Sequence, residues 1–253
     1  MTSPGLMLKP LADIPAVRLG DDLAQIALAG LARDDDRLHS GDVLVFAQKI
    51  VSKAEGRTVE LARVRPSERA RELAQQTGHD PRLVELILQE STEVIRQRRD
   101  LLIVRHRLGF TLANAGIDAS NVDGQDTVLL LPLDPDASAT RLRSALRQQT
   151  GIDVGVLIID SWGRPWRMGT VGCAIGLSGL PGLIDMRGRP DLNSRPLRHT
   201  EVGFADELAA AASMLMGQAA EGRPIVLARG VPYERREGTA RELLRPENMD
   251  LFR

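Results

Sequence analysis

Two patterns of apolar residues alternate along the chain. Apolar residues that recur every three or four positions predict amphipathic helices, whereas short continuous apolar runs predict buried strands. Helices are predicted over 20–38, 65–78, 80–91, 137–151 and 204–219. Strands are predicted over 43–51, 101–106, 127–133, 154–161 and 224–230. The alternation of these segments predicts a mixed α/β (α+β) fold.

Composition narrows the class of protein. The 253 residues are 43% hydrophobic and 26% charged, which is typical of a folded globular chain. The chain has no repeats and no low-complexity linker, which predicts one folded unit over residues 1–253. The net charge of −1 provides no overall field to attract nucleic acid or an anionic membrane. A single cysteine, Cys173, excludes an internal disulfide framework. With no secretory leader and no apolar run of about 20 residues, we expect a cytoplasmic protein.

The segment AQKIVSK (47–53) contains two of the three lysines in a chain with 33 basic residues. Lys49 and Lys53 are four positions apart, so their side chains share a face. Lysine is a compact point charge that suits phosphate oxygens, and the pair therefore suggests a phosphate or carboxylate site. The alternative is a solvated edge strand on which lysines prevent aggregation. The sequence lacks the GxxxxGK[ST] pattern of a P-loop.

Two further polar clusters follow apolar strands, where open sheets often hold ligands. NAGIDASNVDG (114–124) contains Asp118, Asn121 and Asp123, which suit either an ordinary turn or a hard cation such as Mg²⁺. LIIDSWGRPWRMG (157–169) places Asp160 at the end of a buried strand, beside Ser161 and both tryptophans of the chain. An acid at that position either caps the turn or binds a ligand.

Several motifs together resemble the coenzyme F420 gamma-glutamyl ligase family. They are AQKIVSKAEGR, GIDASNVD, LPLDPDASA, DSWGRPWR, TEVGFADELAAAASMLMGQAAEG and ARG, in the family's order over residues 8–233. The resemblance implies a GTP-dependent ligase that joins L-glutamate to coenzyme F420-0 through an acyl phosphate, releases GDP and phosphate, and then adds further glutamate. It also implies Mg²⁺ or Mn²⁺, two ions in all, a response to K⁺, and a two-lobed fold in an intertwined homodimer. The flavin-binding second domain of some relatives is not expected here.

The resemblance also assigns residues. Asp118 and Asp160 are implied ligands of one metal ion, and Ser161 and Gln218 of a second. Lys49 and Lys53, with the two aspartates, are the implied catalytic residues. The implied GTP contacts are Ile14, Pro15, Ala16, Val17, Gln48, Lys49, Lys53, Asn121, Met216, Gly217, Gln218, Ala219, Ala220, Glu221, Gly222 and Arg223.

Three departures from the family pattern bear on specificity. Gln48 stands where many members have serine, Ala16 replaces a frequent acid, and Met168 stands where asparagine is common. Because Ala16 replaces an acid near the nucleotide base, the choice between GTP and ATP stays open. An amide ligase with a different acid or amino acid as substrate is the alternative within the enzyme class. Two alternatives lie outside the enzyme class. One is a GTP-binding regulator without ligase activity. The other is an RNA-binding module that uses the tryptophans and arginines of segment 157–169. The arginine-rich segment 187–199 is either an anion clamp or a solvated loop.

Overall fold

The computed structural model describes residues 5–119 and 126–251. Asn121 and Asp123 lie outside these ranges. The helices are α1 Leu23–Arg33, α2 Gln48–Ala54, α3 Glu68–Thr77, α4 Pro81–Gln89, α5 Pro135–Thr150 and α6 Phe204–Met216. The strands are β1 Met7–Pro10, β2 Val43–Ala47, β3 Thr58–Glu60, β4 Ser91–Arg98, β5 Leu101–His106, β6 Thr111–Ala113, β7 Thr127–Leu129, β8 Gly155–Arg164, β9 Arg167–Ser178, β10 Ile184–Asp185, β11 Glu201–Val202 and β12 Ile225–Arg229. The predicted mixed α/β fold is confirmed.

A five-stranded sheet forms the centre of the molecule, with the strand order β1-β12-β2-β8-β9. Strands β2 and β8 are parallel, and each of the other neighbouring pairs is antiparallel. Because β2 and β8 are parallel, their carboxyl ends lie at the same edge of the sheet.

Both faces of this sheet are buried, because its strands are apolar at consecutive positions. Leu44 and Phe46 of β2 point into a core formed with α1, α2 and α5, whereas Val43 and Val45 point into a core formed with α6. Strand β9 approaches α6 closely at Gly172, where an added Cβ would lie 2.5 Å from the carbonyl oxygen of Ala209. The sheet is therefore the middle of three layers.

The chain between β2 and β8 forms a second group of elements. It contains a three-stranded sheet with the order β4-β5-β6, a pairing of β3 with β7, and the helices α3 and α4. These elements enclose two smaller apolar clusters of their own, around Ile87 and around Val128. The two-lobed arrangement and the intertwined homodimer stay predictions.

Helix ends follow the local signals of the sequence. Ser67 caps the start of α3 by accepting a hydrogen bond from the backbone N–H of Ala70, and Gly78 caps its end. Gly151 caps the end of α5, and both glycines adopt the left-handed conformation that favours glycine. Helices α1 and α6 are shorter than the predicted segments 20–38 and 204–219.

The predicted strand over 43–51 is wrong in its second half. Strand β2 ends at Ala47, and α2 follows without a loop. Ile50 and Val51 are buried on the inner face of α2, so the apolar residues that resembled a continued strand are the core positions of a short helix. Since β2 is an interior strand and both lysines lie on α2, the edge-strand explanation of Lys49 and Lys53 is also wrong.

The predicted strand over 127–133 is too long, because β7 ends at Leu129. Strands β1, β3, β4, β6, β9, β10 and β11 were not predicted. Within residues 5–119 and 126–251, no helix has the length and apolar character that a membrane crossing requires.

Candidate active site

Four chain segments meet at the edge of the central sheet where β2 ends. Strand β2 leads into Gln48, and Asp160 follows Ile159, the β8 partner of the last residue of β2. Strand β12 is antiparallel to β2, so the segment before it reaches the same edge, where the N–H of Ala47 donates to the carbonyl of Pro224 at 2.8 Å. Strand β1 is antiparallel to β12 and delivers Leu11 and the residues that follow it to this edge. Strand direction thus accounts for the position of the site.

These segments surround a cleft of ≈ 840 Å³, a volume typical of small-molecule sites. Its lining includes every residue assigned above to GTP, metal or catalysis, except Asn121, which lies outside the described residues. The other lining residues include Asn114, Trp162, Thr170 and Ser213. The structure brings the assigned residues together, and their individual roles stay predictions.

Lys49 and Asp118 form an ion pair in this cleft, with Lys49 Nζ 2.6 Å from Asp118 Oδ2. Both side chains are partly exposed to the cleft. Asp118 exchanges two backbone hydrogen bonds with Leu129, which fix it beside the end of β7. A residue from α2 and a residue from the inserted elements therefore meet at one point.

A left-handed turn directs the chain into Asp118. Asn114 and Ala115 have φ angles of 50° and 55°, values that non-glycine residues rarely adopt. The side chain of Asn114 accepts a hydrogen bond from the N–H of Leu102 at 2.9 Å, and Ala115 is buried, so packing holds the turn in place. Strained backbone of this kind is concentrated at functional sites.

Asp160 lies in the middle of β8, one residue after Ile159, the last residue of β8 that pairs with β2. The predicted strand over 154–161 is too short, because β8 continues to Arg164. Burial raises the pKa of its carboxyl group to about 7, the negative charge of Asp118 adds to the rise, and the N–H of Ser161 and the charge of Lys49 oppose it. A cation bound beside the carboxylates of Asp118 and Asp160 would relieve the repulsion that acts on Asp160.

Ser161 and Gln218 are hydrogen-bonded to each other across the cleft. The hydroxyl of Ser161 donates to Gln218 Oε1 at 2.8 Å, and Gln218 Nε2 donates to the hydroxyl of Ser213 at 3.0 Å. The sequence assignment of Ser161 and Gln218 to one metal ion did not include Ser213. A polar residue in the apolar helix segment AAAASMLM was the signal that could have identified it.

The loop after α6 depends on Gly217. Its φ of 76° and ψ of −179° lie in a region that essentially only glycine adopts. An added Cβ would lie 2.1 Å from the carboxyl carbon of Glu221, and that carboxylate accepts a hydrogen bond from the N–H of Ala219 at 2.8 Å. This hydrogen bond is the main cause that lowers the pKa of Glu221. The loop 217–222 is therefore folded around a charged carboxylate at the rim of the cleft.

Two residues that line the cleft also have packing roles. Gln48 is only 2% exposed, and its side-chain oxygen accepts a hydrogen bond from the hydroxyl of Ser52 at 3.0 Å. Trp162 packs against Phe110 with ring centroids 5.7 Å apart. The other tryptophan, Trp166, is 79% exposed.

Other residues do not line the cleft. Cys173 is buried as the cross-strand partner of Asp160, and burial raises the pKa of its thiol to about 12. Arg187, in the arginine-rich segment, pairs with Asp185 and Glu201 on the exposed β10–β11 hairpin. That segment does not line the cleft.

The residues of the cleft fit a hard divalent cation by the chemistry of their donor atoms. Asp118 and Asp160 supply carboxylates, and Ser161 and Gln218 supply neutral oxygens, which are the ligands that Mg²⁺ and Mn²⁺ accept. Across the described ranges, no three His, Cys, Asp or Glu side chains converge into a metal-binding group. A cation held by two carboxylates retains coordination positions for water and for phosphate oxygens of a substrate.

The fold and the cleft define a mixed α/β protein with a small-molecule site at the edge of its central sheet. Comparison with known proteins then places it among its relatives. The chain belongs to the F420-0:Gamma-glutamyl ligase family, whose model matches residues 12–230. That range includes every assigned site residue.

Individual relatives are similar over almost their whole length. The coenzyme F420:L-glutamate ligase of Methanothermobacter thermautotrophicus is 46% identical over 251 residues, which cover 98% of this chain and 99% of the relative. The protein of the same name from Methanopyrus kandleri is 46% identical, with 99% and 98% covered. The one from Archaeoglobus fulgidus is 43% identical over 96% of this chain and 95% of its own.

Proposed function

We propose that this protein is a GTP-dependent ligase in coenzyme F420 biosynthesis. It joins the amino group of L-glutamate to the terminal carboxylate of F420-0, releases GDP and phosphate, and adds a further glutamate to the product through a γ-glutamyl bond. Family membership and the names of the relatives support the ligase and its substrates.

One observation carries the proposal: Lys49, Asp118 and Asp160 lie in one cleft with Lys53 and Gln218. An ATP or GTP ligase has to hold a polyphosphate, neutralise the charge that develops on it and bring two further substrates together. Lys49 and Lys53 are suited to phosphate oxygens, and the two aspartates are suited to the cation that accompanies a nucleotide. The loop 217–222 and residues 14–17 border the cleft and form the remaining walls of a nucleotide site.

Asp118 and Asp160 would hold one Mg²⁺ or Mn²⁺ ion, and Ser161 and Gln218 would contribute to a second. Such ions, when bound, supply positive charge that stabilises negatively charged phosphoryl oxygens. The ion pair between Lys49 and Asp118 keeps the Lys49 ammonium group beside the Asp118 carboxylate.

We also propose that the family's response to K⁺, its homodimeric assembly and a cytoplasmic location apply to this protein.

The reaction proceeds in two transfers. An oxygen of the acceptor carboxylate attacks the γ-phosphorus of GTP, the bond from that phosphorus to the bridging oxygen breaks, and GDP leaves. The ammonium group of glutamate loses a proton to solvent, and the resulting amine attacks the acyl carbon. The acyl–oxygen bond then breaks, and the departing phosphate takes the second proton from the nitrogen. The residues of the cleft act by positioning and by charge, since none of the described side chains needs to form a covalent bond with substrate.

The test is nucleotide turnover by the purified protein with GTP, Mn²⁺, L-glutamate and F420-0, each omitted in turn. We expect GDP release that requires both glutamate and F420-0, together with a product heavier by one or more glutamyl units. Asp160→Asn should reduce turnover by a factor of about 100 or more, because the substitution removes a carboxylate charge. Asp206→Asn is the control, since Asp206 is a half-buried aspartate that accepts a hydrogen bond from Ala174 N outside the cleft lining.

GDP release without glutamylated product would contradict the proposed acceptor, and other acids and amines would then be screened. GTP binding without turnover under any combination would contradict ligase activity and support a regulator. RNA binding by the wild-type protein that Trp166→Gly abolishes would support the RNA-binding alternative.

A further inference from the structure

The tip of the β8–β9 hairpin stands at the rim of the cleft and is not used by the chemistry described above. Gly163 and Thr170, which are paired near the tip, line the cleft, whereas Arg164 to Met168 extend beyond it. The tip combines charged and apolar side chains in an arrangement that is costly for the protein alone.

The first cost is electrostatic. Arg164 and Arg167 are directly opposite each other across the hairpin, and like charges in that position are destabilising. Among the residues that the structure describes, no carboxylate lies within ion-pair distance of either guanidinium group. An anion bound between them would remove the repulsion.

The second cost is conformational. Pro165 and Trp166 form the turn, and Trp166 has a φ of 57°. Proline followed by a residue with positive φ is the φ pattern of a type II turn, whose second central position normally requires glycine. A bulky side chain there is strained, yet it is tryptophan, and it is 79% exposed. Met168 beside it is 97% exposed and lies in a bulge between the paired residues.

We propose that this tip, defined as residues 164–168, is the recognition site for the acceptor, in which Arg164 and Arg167 bind its phosphodiester and Trp166 stacks on its deazaflavin ring. The inference rests on the proposed function, which supplies the acceptor. Charge complementarity and the exposed aromatic surface are the chemical reasons, because a planar ring attached to an anion matches a tryptophan beside two arginines.

The order of groups along the hairpin supports this assignment. By the alternation of a strand, Arg164 lies on the same face of β8 as Asp160, about 13 Å farther along it. An acceptor whose terminal carboxylate reacts beside Asp160 would have its phosphodiester within reach of the arginines and its ring beyond them. The carboxylate, the phosphodiester and the ring of the acceptor would therefore match Asp160, the two arginines and Trp166 in that order along the hairpin.

The experiment compares KM values in Trp166→Gly, Trp166→Phe, Arg164→Gln and Arg167→Gln. Trp166→Gly should fold at least as stably as the wild type, because glycine suits the left-handed turn, and should raise the KM for F420-0 about tenfold or more. Trp166→Phe should restore most of the affinity. The KM for GTP should stay unchanged, and Arg69→Gln, an exposed arginine on α3, is the matched control for the arginine variants.

A synthetic acceptor that keeps the phosphodiester and carboxylate but lacks the ring separates the two contacts. Trp166→Gly should leave its KM unchanged, whereas the arginine variants should raise it. An unchanged KM for F420-0 in Trp166→Gly would overturn the proposal. The proposal would also be overturned if the variants of the tip changed the sedimentation coefficient of the protein and raised all KM values together. The tip would then serve subunit association.

Failure of the proposed function gives a different result. If the wild type forms no glutamylated product, equilibrium dialysis with F420-0 alone still decides the inference. Binding that Trp166→Gly weakens supports the recognition site even without turnover, and absence of binding to the wild type overturns it.

Discussion

At the scale of single residues, Lys49 and Lys9 have the same side chain in different surroundings. Lys49 pairs with Asp118 in the cleft, whereas Lys9 pairs with Asp34 and Asp36, outside the cleft. Lys49→Gln should lower kcat/KM for GTP by a factor of about 100 or more, because a charge that acts on the phosphates is lost. Lys9→Gln should change it less than about twofold. Equal effects of the two substitutions in steady-state kinetics would contradict a phosphate role for Lys49.

Gly217 provides a second test at this scale. Gly217→Ala forces a Cβ into the position of the Glu221 carboxyl group and leaves the backbone in a conformation that alanine rarely adopts. We expect a loss of about 1–3 kcal/mol in the free energy of unfolding, measured by urea denaturation, and weaker binding of a GTP analogue. Gly5→Ala is the control, since an added Cβ there has no neighbour within 4 Å. Wild-type stability in Gly217→Ala would show that the loop can rearrange.

The residue types of the cleft could be predicted from sequence because chemistry restricts them. Aspartate after a buried strand and lysine in a chain rich in arginine are both unusual enough to identify. The left-handed turn at Asn114 and the hydrogen bond from Gln218 to Ser213 could not be predicted, because each depends on atoms brought together by the fold.

At the scale of elements, Glu90 joins the end of α4 to β5 and to the segment after α2. Its carboxylate lies 2.9 Å from Arg57 Nη2, 3.1 Å from Arg107 Nε and 3.4 Å from His106 Nε2. His106 Nδ1 accepts a hydrogen bond from the N–H of Leu108, so the neutral ring carries its hydrogen on Nε2, toward Glu90. The distance of 3.4 Å is at the long end for a hydrogen bond, and the arginine contacts are the stronger ones.

This cluster predicts a pH dependence of stability. Burial alone would raise the pKa of Glu90, but the nearby ring of His106, the hydrogen bond from Arg57 and the charges of Arg57 and Arg107 lower it from 4.5 to about 2. A lowered pKa in the folded state stabilises the protein above pH 4.5 by about 3 kcal/mol, and this stabilisation is lost as the pH falls from 4.5 toward 2. Glu90→Gln should therefore destabilise the protein at pH 7, and the difference from wild type should shrink with falling pH. A difference in urea denaturation that is the same at pH 7 and pH 3 would contradict the assignment.

Elements were predictable where their period was clear and the ends carried caps, as in α3 with Ser67 and Gly78. The boundary between β2 and α2 was not, because VLVFAQKIV is apolar enough for either structure and tertiary packing decides between them. Strand β9 was missed because its segment RMGTVGCAIGLS contains three glycines, which local propensity disfavours in a strand. The glycine at 172 is explained by close packing against α6, because an added Cβ there would lie 2.5 Å from the carbonyl oxygen of Ala209.

At the scale of the whole molecule, ligand binding should stabilise the fold, because the cleft joins five distant segments of the chain. A GTP analogue with Mg²⁺ at 100 times its Kd should add about 2.7 kcal/mol to the free energy of unfolding. For a chain of this size, that corresponds to an increase in Tm of about 5 °C or more in calorimetry. In Asp160→Asn, the part of this Tm increase that requires Mg²⁺ should be lost. If the Tm of the wild type rises equally with and without Mg²⁺, metal-assisted nucleotide binding is contradicted.

The central claim is that this cleft activates a carboxylate by phosphorylation and then joins it to glutamate. Oxygen transfer tests it most directly, with F420-0 labelled by ¹⁸O in its terminal carboxylate and mass spectrometry of both products. We predict that the released phosphate carries one ¹⁸O atom per turnover and that the acceptor gains a glutamyl residue in the same reaction. Glutamylated product with unlabelled phosphate would contradict the acyl phosphate, and labelled acceptor recovered without glutamate would contradict the ligase.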